Sequence, residues 1–353
     1  TYLTTRLLEC QHLFFKVFLI YLLQKNKIEL IRCHTEFSLG LHAIHEAKKC
    51  KLPLVCTTHT MWEDYYRFYV PGGDYISPEF IRYLIRNFYS HANALINVSK
   101  KAHDYFKRDN ICPEIPSAII PNAINSDNYC AEKTPADEVK KLRYQYGIQD
   151  DEKVLLFVGR IVEEKRVFEL VDVLESVLIN EPKTKALIVG DGAAYKQMCK
   201  MVNKTTVSDR FIFTGFVEWQ NVHKYYEAGD VFVTSSLSEM HSMTILEALT
   251  SGLPIVVRKD ASFYDTVVDD FNGFQCETDE QMSEFISKII NNSEMHYIFA
   301  KNSIELSKQF LPETFINKHI AFYKTVIDAF NNKKNITDDL LKSAVKNVDP
   351  LNK

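Results

Sequence analysis

The chain has 353 residues, too many for one compact core when domains usually hold roughly 100–200, so two domains are expected. Its residues are 46% hydrophobic and 25% charged, an ordinary globular balance that excludes a disordered chain or a coiled-coil rod. Formal net charge is −4, so no nucleic-acid partner is expected; residues 1–120 nevertheless carry 15 basic and 11 acidic side chains, against 27 and 35 in the remainder, which leaves only the front half suited to an anionic surface.

In chain order, the front half predicts a helix near 4–24, a strand near 28–33, a helix over 38–50, a strand over 53–58, a helix over 77–89, a strand over 93–98, a helix over 99–108 and a strand ending at Ile119-Ile120. The longest apolar run, Leu13 to Leu23, is interrupted by Lys16 and is far short of the roughly 20 residues a spanning helix needs. Polar residues 126–150 read as a linker. Beyond it, Val154–Val158, Ala186–Val189, Phe211–Phe213, Val231–Val233 and Leu253–Val257 are short apolar runs of the kind that form strands buried on both faces. Helical patterns lie between them at 167–180, 193–203, 219–228 and 242–250. Strand, glycine turn, helix and strand again predict a parallel sheet with right-handed crossovers. After about 275 the pattern is helical, through Asp279–Asn291, Glu294–Phe310 and Pro312–Asn331.

The expected organisation is therefore a first Rossmann-like domain over 1–125, a linker over 126–150, a second Rossmann-like domain over 151–310, a helix over 311–335 packing back on the first domain, and a loose tail over 336–353. Ligands of such sheets bind beyond the carboxyl ends of the strands. Eight cysteines are scattered without a C-x-x-C pair or a histidine at zinc spacing. They read as reduced thiols of a cytoplasmic protein, with no metal site.

Three groups of residues could carry chemistry. Arg160 and Lys165 follow the first strand of the second domain, where two cations could neutralise a diphosphate without metal; a solvated loop with Glu163 and Glu164 as ion-pair partners fits the spacing equally. Gly190-Asp191-Gly192 reads as a tight turn that could also bring backbone N–H groups to a phosphate. Glu239 lies in a loop and Glu247 in the helix that the loop feeds, so two carboxylates could accept hydrogen bonds from a polyol, with the bare helix N-terminus near Ser242 between them. An idle charge at Glu247, among Ile245, Leu246, Ala248 and Leu249, would be costly.

The segments Phe157-Val-Gly-Arg-Ile-Val-Glu-Glu-Lys165, Leu187-Ile-Val-Gly-Asp-Gly192, Phe213-Thr-Gly215, Asp230-Val-Phe-Val233, Ser238-Glu239, Glu247-Ala248 and Gly252-Leu-Pro254 occur in that order. Together they resemble the nucleotide-sugar half of the retaining family 4 glycosyltransferases of GT-B fold, over roughly residues 150–275. His34-Thr-Glu-Phe-Ser-Leu-Gly40 and Thr57-Thr-His59-Thr60-Met-Trp-Glu-Asp-Tyr65 resemble, more narrowly, the bacterial diacylglycerol glucosyltransferases. The resemblance implies an α/β fold of two facing Rossmann-like domains with parallel sheets. It implies that Arg160 and Lys165 grip the donor diphosphate, Glu239 binds the transferred sugar, Glu247 binds the ribose, and Gly192 and the backbone of His241, Ser242, Met243 and Thr244 lie by sugar and phosphate. His59 would contact the reacting sugar. Met-His-Ser stands where a Gly-Phe-Gly type run is frequent, which leaves the sugar open.

The expected activity is transfer of a hexose, glucose most simply, from a UDP-sugar to a membrane lipid such as diacylglycerol. Polysaccharide synthesis, a non-catalytic partner subunit and a sugar-nucleotide epimerase remain alternatives. No D-x-D tripeptide occurs, so no metal or other cofactor is expected. An acceptor path along Trp62, Tyr65, Tyr66, Phe68 and Tyr69, or mere loop packing there, fits the aromatic run. Arg82, Arg86, Lys100, Lys101, Lys107 and Arg108 could face anionic lipid headgroups and hold the protein peripherally on the inner membrane face. The family pattern opens with a strand and a glycine-containing loop that nothing before Thr5 supplies, so the first domain is expected to be incomplete at its start.

Overall fold

The computed structural model describes residues 25–348, apart from residue 71 and residues 130–133. The helix expected near 4–24 with its apolar run, Cys10, Cys130 and the end of the tail lie outside the described residues.

The first lobe is a parallel sheet of β1 (Ile31–Cys33), β2 (Leu54–Thr58), β3 (Ala94–Asn97) and β4 (Ser117–Ile119), paired in that order. Helices α1 (Ser38–Cys50), α2 (Trp62–Tyr69), α3 (Pro78–Tyr89) and α4 (Lys100–Phe106) connect the strands. Serines start the last two: Ser77 and Ser99 accept from Phe80 and Ala102 N–H, satisfying donors that the first turn leaves open. Strand alternation gives the sheet two apolar faces. Leu54, Cys56 and Leu95 pack with Ile44, Ile81, Ile85 and Phe88 on one side. Val55, Ile96 and Ala118 pack on the other against residues from the far end of the chain.

The described part of the linker is folded. It contains α5 (Ser126–Tyr129) and α6 (Ala136–Gln145), and it belongs to the second lobe. Ile124, Tyr129 and Ile148 are buried in that lobe's core, while Arg143 reaches the Ala228 carbonyl at 3.2 Å and the Asp230 carboxylate at 3.4 Å.

The second lobe is a six-stranded parallel sheet of β5 (Lys153–Val158), β6 (Thr184–Val189), β7 (Phe211–Gly215), β8 (Val231–Thr234), β9 (Ile255–Arg258) and β10 (Gly273–Cys276), in the order β10-β9-β8-β5-β6-β7. The chain order reverses between β5 and β8, which opens a crevice at their carboxyl ends. Covering helices are α7 (Val167–Asn180), α8 (Tyr195–Val202), α9 (His223–Ala228), α10 (Met243–Thr250), α11 (Asp279–Ile290) and α12 (Ser293–Ser307). β10 was not expected. It is a short edge strand led by a glycine, and a Cβ at Gly273 would lie 1.8 Å from the Ile255 carbonyl oxygen, so only glycine lets the strand dock there.

The chain then crosses back. Phe322 and Val326 of α13 (Pro312–Asn331) are buried on the first sheet's open face beside Val55 and Ile96. The tail expected to be loose forms α14 (Asp338–Lys346) on the same face, with Leu341 and Val345 buried one turn apart. Thr337 caps this helix by accepting from Leu340 N–H, with Asp338 and Asp339 in the first turn. The Lys/Asn/Asp-rich composition hides that cap and its two-residue apolar stripe. Asp338 also accepts from Lys107 at 2.9 Å and from the Ser117 N–H at 2.8 Å.

Candidate active site

At the second sheet's reversal, the chain leaving β5 makes a single 3-10 turn over Glu163–Lys165, which follows Arg160 and ends on Lys165. Lys165 Nζ donates to Glu239 Oε1 at 2.6 Å, with side-chain exposures of only 15% and 17%. A short charge-assisted bond in a partly dry site is among the stronger polar contacts. Ser238 Oγ donates to the Glu164 carbonyl at 3.0 Å, which fastens the loop after β8 to the same turn. Arg160 Nη2 lies 2.9 Å from Glu164 Oε1, the arginine 58% exposed and the glutamate side chain 3%. The two basic side chains thus take different acids, one from the local turn and one 74 residues away.

Gly190 and Gly192 explain why β6 ends in glycines. A Cβ at Gly190, whose φ is +139°, would lie 1.9 Å from the Gly159 carbonyl oxygen, and one at Gly192 would lie 2.3 Å from the Ile161 carbonyl oxygen. The loops after β5 and β6 therefore pack backbone against backbone beside Arg160.

Ser242 precedes α10, and its Oγ lies 3.0 Å from Thr244 Oγ1 instead of capping the helix. Met243 is exposed. The His241 side chain turns inward: neither ring nitrogen has a hydrogen bond, Nε2 is 3.6 Å from Asp265 Oδ2, and the ring lies 5.5 Å from that of Phe310. Glu247 Oε2 accepts from the Tyr226 hydroxyl at 2.6 Å. Burial lifts its carboxyl above the ordinary range, opposed by hydrogen bonds from Tyr226 and Tyr129. The two tyrosines come from α9 and from the linker, and no local spacing announces them.

On the first lobe, His34 and His59 are the residues immediately after β1 and β2. These neighbours are parallel, so their carboxyl ends lie together. His34 Nδ1 and His59 Nε2 are 2.8 Å apart, with rings 17° from parallel and centroids 5.1 Å apart. Behind them, Arg32 Nε donates to Thr57 Oγ1 at 3.1 Å and Nη2 lies 3.0 Å from His319 Nε2. His319 is 4% exposed, and its Nδ1 lies 2.8 Å from the Phe315 carbonyl. An Nδ1–H donor and an Nε2 acceptor satisfy both contacts, so this ring is neutral. Burial pushes its pKa down to about 4.

The lobes meet around these residues. Met61, two after His59, and Met240, next to Glu239, are buried in one cluster. Lys101 Nζ donates to Asp260 at 2.9 Å and to the Leu237 carbonyl at 2.7 Å. The Asn122 amide donates to the His241 carbonyl at 3.4 Å. His59 and Glu239 are thus each within two residues of one shared apolar junction.

Three residues beyond His34 and His59, respectively, Phe37 and Trp62 meet edge to face with centroids 4.9 Å apart. They border an apolar groove of about 410 Å³ between α1, α2 and α3, with Leu41, Tyr66, Phe80 and Leu84 among its walls. The aromatic run is therefore helical, and Tyr66 is buried with its hydroxyl on the Ile76 carbonyl at 3.0 Å. Most of the basic residues expected to face lipid headgroups have ion-pair partners. Arg82 pairs with Glu63 and Glu79, Lys100 with Asp104, Lys101 with Asp260 and Lys107 with Asp338. Arg108 lies over the Tyr105 ring at 5.1 Å. Among the described residues, no helix is long and apolar enough to cross a membrane, and no group of three or more His, Cys, Asp or Glu is placed to hold a metal ion.

Two parallel α/β lobes, the second reversing its strand order beside a lysine–carboxylate pair, define a glycosyltransferase of GT-B fold. Solved structures agree in fold: HepE from Anabaena in complex with UDP and glucose (TM-score 0.70, 20% identity, covering 86% of this chain and 79% of that one) and sucrose-phosphate synthase from Thermosynechococcus elongatus (TM-score 0.73, 20% identity, 90% and 78%). The model of Glycosyl transferases group 1 matches residues 138–306, and that of Glycosyltransferase Family 4 matches residues 3–128. The alpha-monoglucosyldiacylglycerol synthase of Acholeplasma laidlawii is 30% identical over 89% of this chain and 79% of its own; that of Streptococcus pneumoniae is 28% identical over 90% and 70%. The chain belongs to the family 4 glycosyltransferases.

Proposed function

We propose that the chain moves a hexose, glucose most simply, from UDP-glucose to a lipid hydroxyl such as that of diacylglycerol, with retention at the anomeric carbon. The observation that carries the lipid reading is the apolar groove bordered by Phe37 and Trp62, each three residues beyond His34 and His59 in the chain. Its exposed walls at Phe37, Leu41, Phe80 and Leu84 suit an acyl chain and offer a glycan no hydrogen bonds. The relatives named as monoglucosyldiacylglycerol synthases support the same acceptor.

In this reading Arg160, Lys165 and the N-terminus of α10 near Ser242 stabilise the charge that develops on the departing diphosphate. The backbone of Gly192 and of residues 241–244 lies along the donor, and Glu247 receives the ribose hydroxyls. Glu239 and His59 orient the sugar. The bond from C1 to the diphosphate oxygen breaks and its electron pair leaves with UDP. The acceptor oxygen bonds to C1 on the same face, and its proton ends on the departing phosphate. The cations suffice without metal.

The test supplies radiolabelled UDP-glucose with diacylglycerol in anionic micelles and separates lipid from polysaccharide products. Label in a glycolipid, undiminished by EDTA, is the expected result. Label in polysaccharide, or a strict need for Mg²⁺ or Mn²⁺, would overturn the reading. Cosedimentation with anionic vesicles, where the groove mouth would meet the bilayer, tests the peripheral position.

A further inference from the structure

The geometry points to His34 as a positioning residue, whose ring holds His59 in one orientation and one tautomer so that Nδ1 of His59 is the nitrogen presented to substrate. The inference rests on the reading of His59 as a substrate contact and adds the partner that sets its chemistry. A nitrogen–nitrogen separation of 2.8 Å admits one hydrogen between the rings. One imidazole donates and the other accepts; two facing N–H groups cannot form this bond. Nε2 of His59 is therefore committed to His34, and Nδ1 is the ring nitrogen left for a ligand.

The strand topology makes the pairing possible. Cys33 and Cys56 are opposite one another in the parallel register of β1 and β2, so the residues that follow leave the sheet side by side. Near-parallel rings restrict rotation of the His59 side chain, as a partner on one nitrogen commonly fixes a functional histidine.

The surroundings favour neutral rings. From β1, Arg32 is held by Thr57 and His319 and places a cation near both imidazoles. From α13, Tyr323 faces Arg32. Glu36, in the loop after His34, is engaged by the Tyr89 hydroxyl, and Cys33 and Cys56 lie behind the pair. Both rings reach solvent, yet partial desolvation by the protein around them, with Arg32 second, lowers the pKa of both histidines, that of His34 to about 4. At neutral pH the rings thus share one hydrogen, which a fixed tautomer requires.

The experiment uses the full chain with His34→Ala and His34→Asn. Losing the partner ring should lower kcat about ten- to hundredfold, the scale of a misplaced catalytic contact. Donor KM should stay within about twofold, because His34 does not touch the diphosphate site. Removing the ring packed against His59 should move the acidic limb of the pH–rate profile to higher pH, and His34→Asn, which can restore one hydrogen bond, should recover part of kcat. Nitrogen-15 NMR should find a single His59 tautomer in the unaltered chain and a mixture in His34→Ala. An unchanged acidic limb with an unchanged tautomer would overturn the inference. So would a mixture in the unaltered chain, a reading that needs no variant to fold. If the unaltered chain transfers no sugar, the functional reading falls, while the tautomer still decides the role of His34.

Discussion

Arg160, Lys165, Glu239 and Glu247 come from one continuous stretch of chain, on a lobe whose sheet reverses at its own centre. Across the junction, Arg32 reaches His319, 287 positions away, and the first sheet relies on α13 and α14 to cover one of its faces. The second lobe builds its crevice from local strand–loop–helix units. Among the described residues the first sheet runs in simple sequential order, and its site is finished by the far end of the chain and by Met240 of the other lobe. Motifs therefore mark the charged cluster of the second lobe, and long-range packing makes the histidine pair of the first.

The sharpest way to break that comparison is Lys165→Ala. In the proposed mechanism it removes a cation from the developing charge and leaves Glu239 without its ion pair, so turnover should fall about a hundred- to thousandfold, while the melting temperature stays near that of the unaltered chain. A collapse of the fold instead would make the lysine structural. Next is Leu341→Ala, in the segment that composition assigned to a loose tail. A fully buried leucine removed from the first sheet's cover should cost about 2–5 kcal/mol in urea unfolding, and a cost near zero would restore the loose-tail reading.

Tyr226→Phe tests the donor side more gently. Losing the hydroxyl that fixes Glu247 should cost about 1–3 kcal/mol, read as donor binding weakened about tenfold in calorimetry with UDP. An unchanged affinity would separate Glu247 from the donor. The smallest effect concerns acid. Neutral His319 titrates near 4 in the folded chain, below its ordinary value of about 6.5, so its stabilising contribution is complete above that value and is withdrawn as pH falls toward 4. Melting temperature should drop across this window more steeply in the unaltered chain than in His319→Gln; equal slopes would remove His319 from the account.

Strands and helices of both lobes were legible because parallel strands are continuous apolar runs and their helices follow at regular intervals. The exceptions share a cause. β10, Gly-Phe-Gln-Cys, lacks the continuous apolar run that marked the other strands. The linker helices are polar outside and gain their fixed place from Arg143, Ile148 and Tyr129 against the second lobe. α14 depends on a cap and two buried residues that find their partners only on a sheet formed some 220 residues earlier. The ion pairs of the basic run at 82–108 were not legible in sequence because several acidic partners lie on other elements, Glu63, Asp260 and Asp338 among them.

What the sequence by itself determined was the chemistry available at each strand end: two cations after β5, a carboxylate after β8, another within α10, and histidines after β1 and β2. These positions follow from local apolar runs and the turns that must end them. Tertiary structure alone decided the partners. Lys165 meets Glu239 rather than its neighbouring acids, Tyr129 and Tyr226 hold Glu247, and His34 meets His59 beside an arginine anchored by the last long helix. Pairing across tens to hundreds of residues depends on which strands lie adjacent and which helix returns, and packing of the whole chain fixes both.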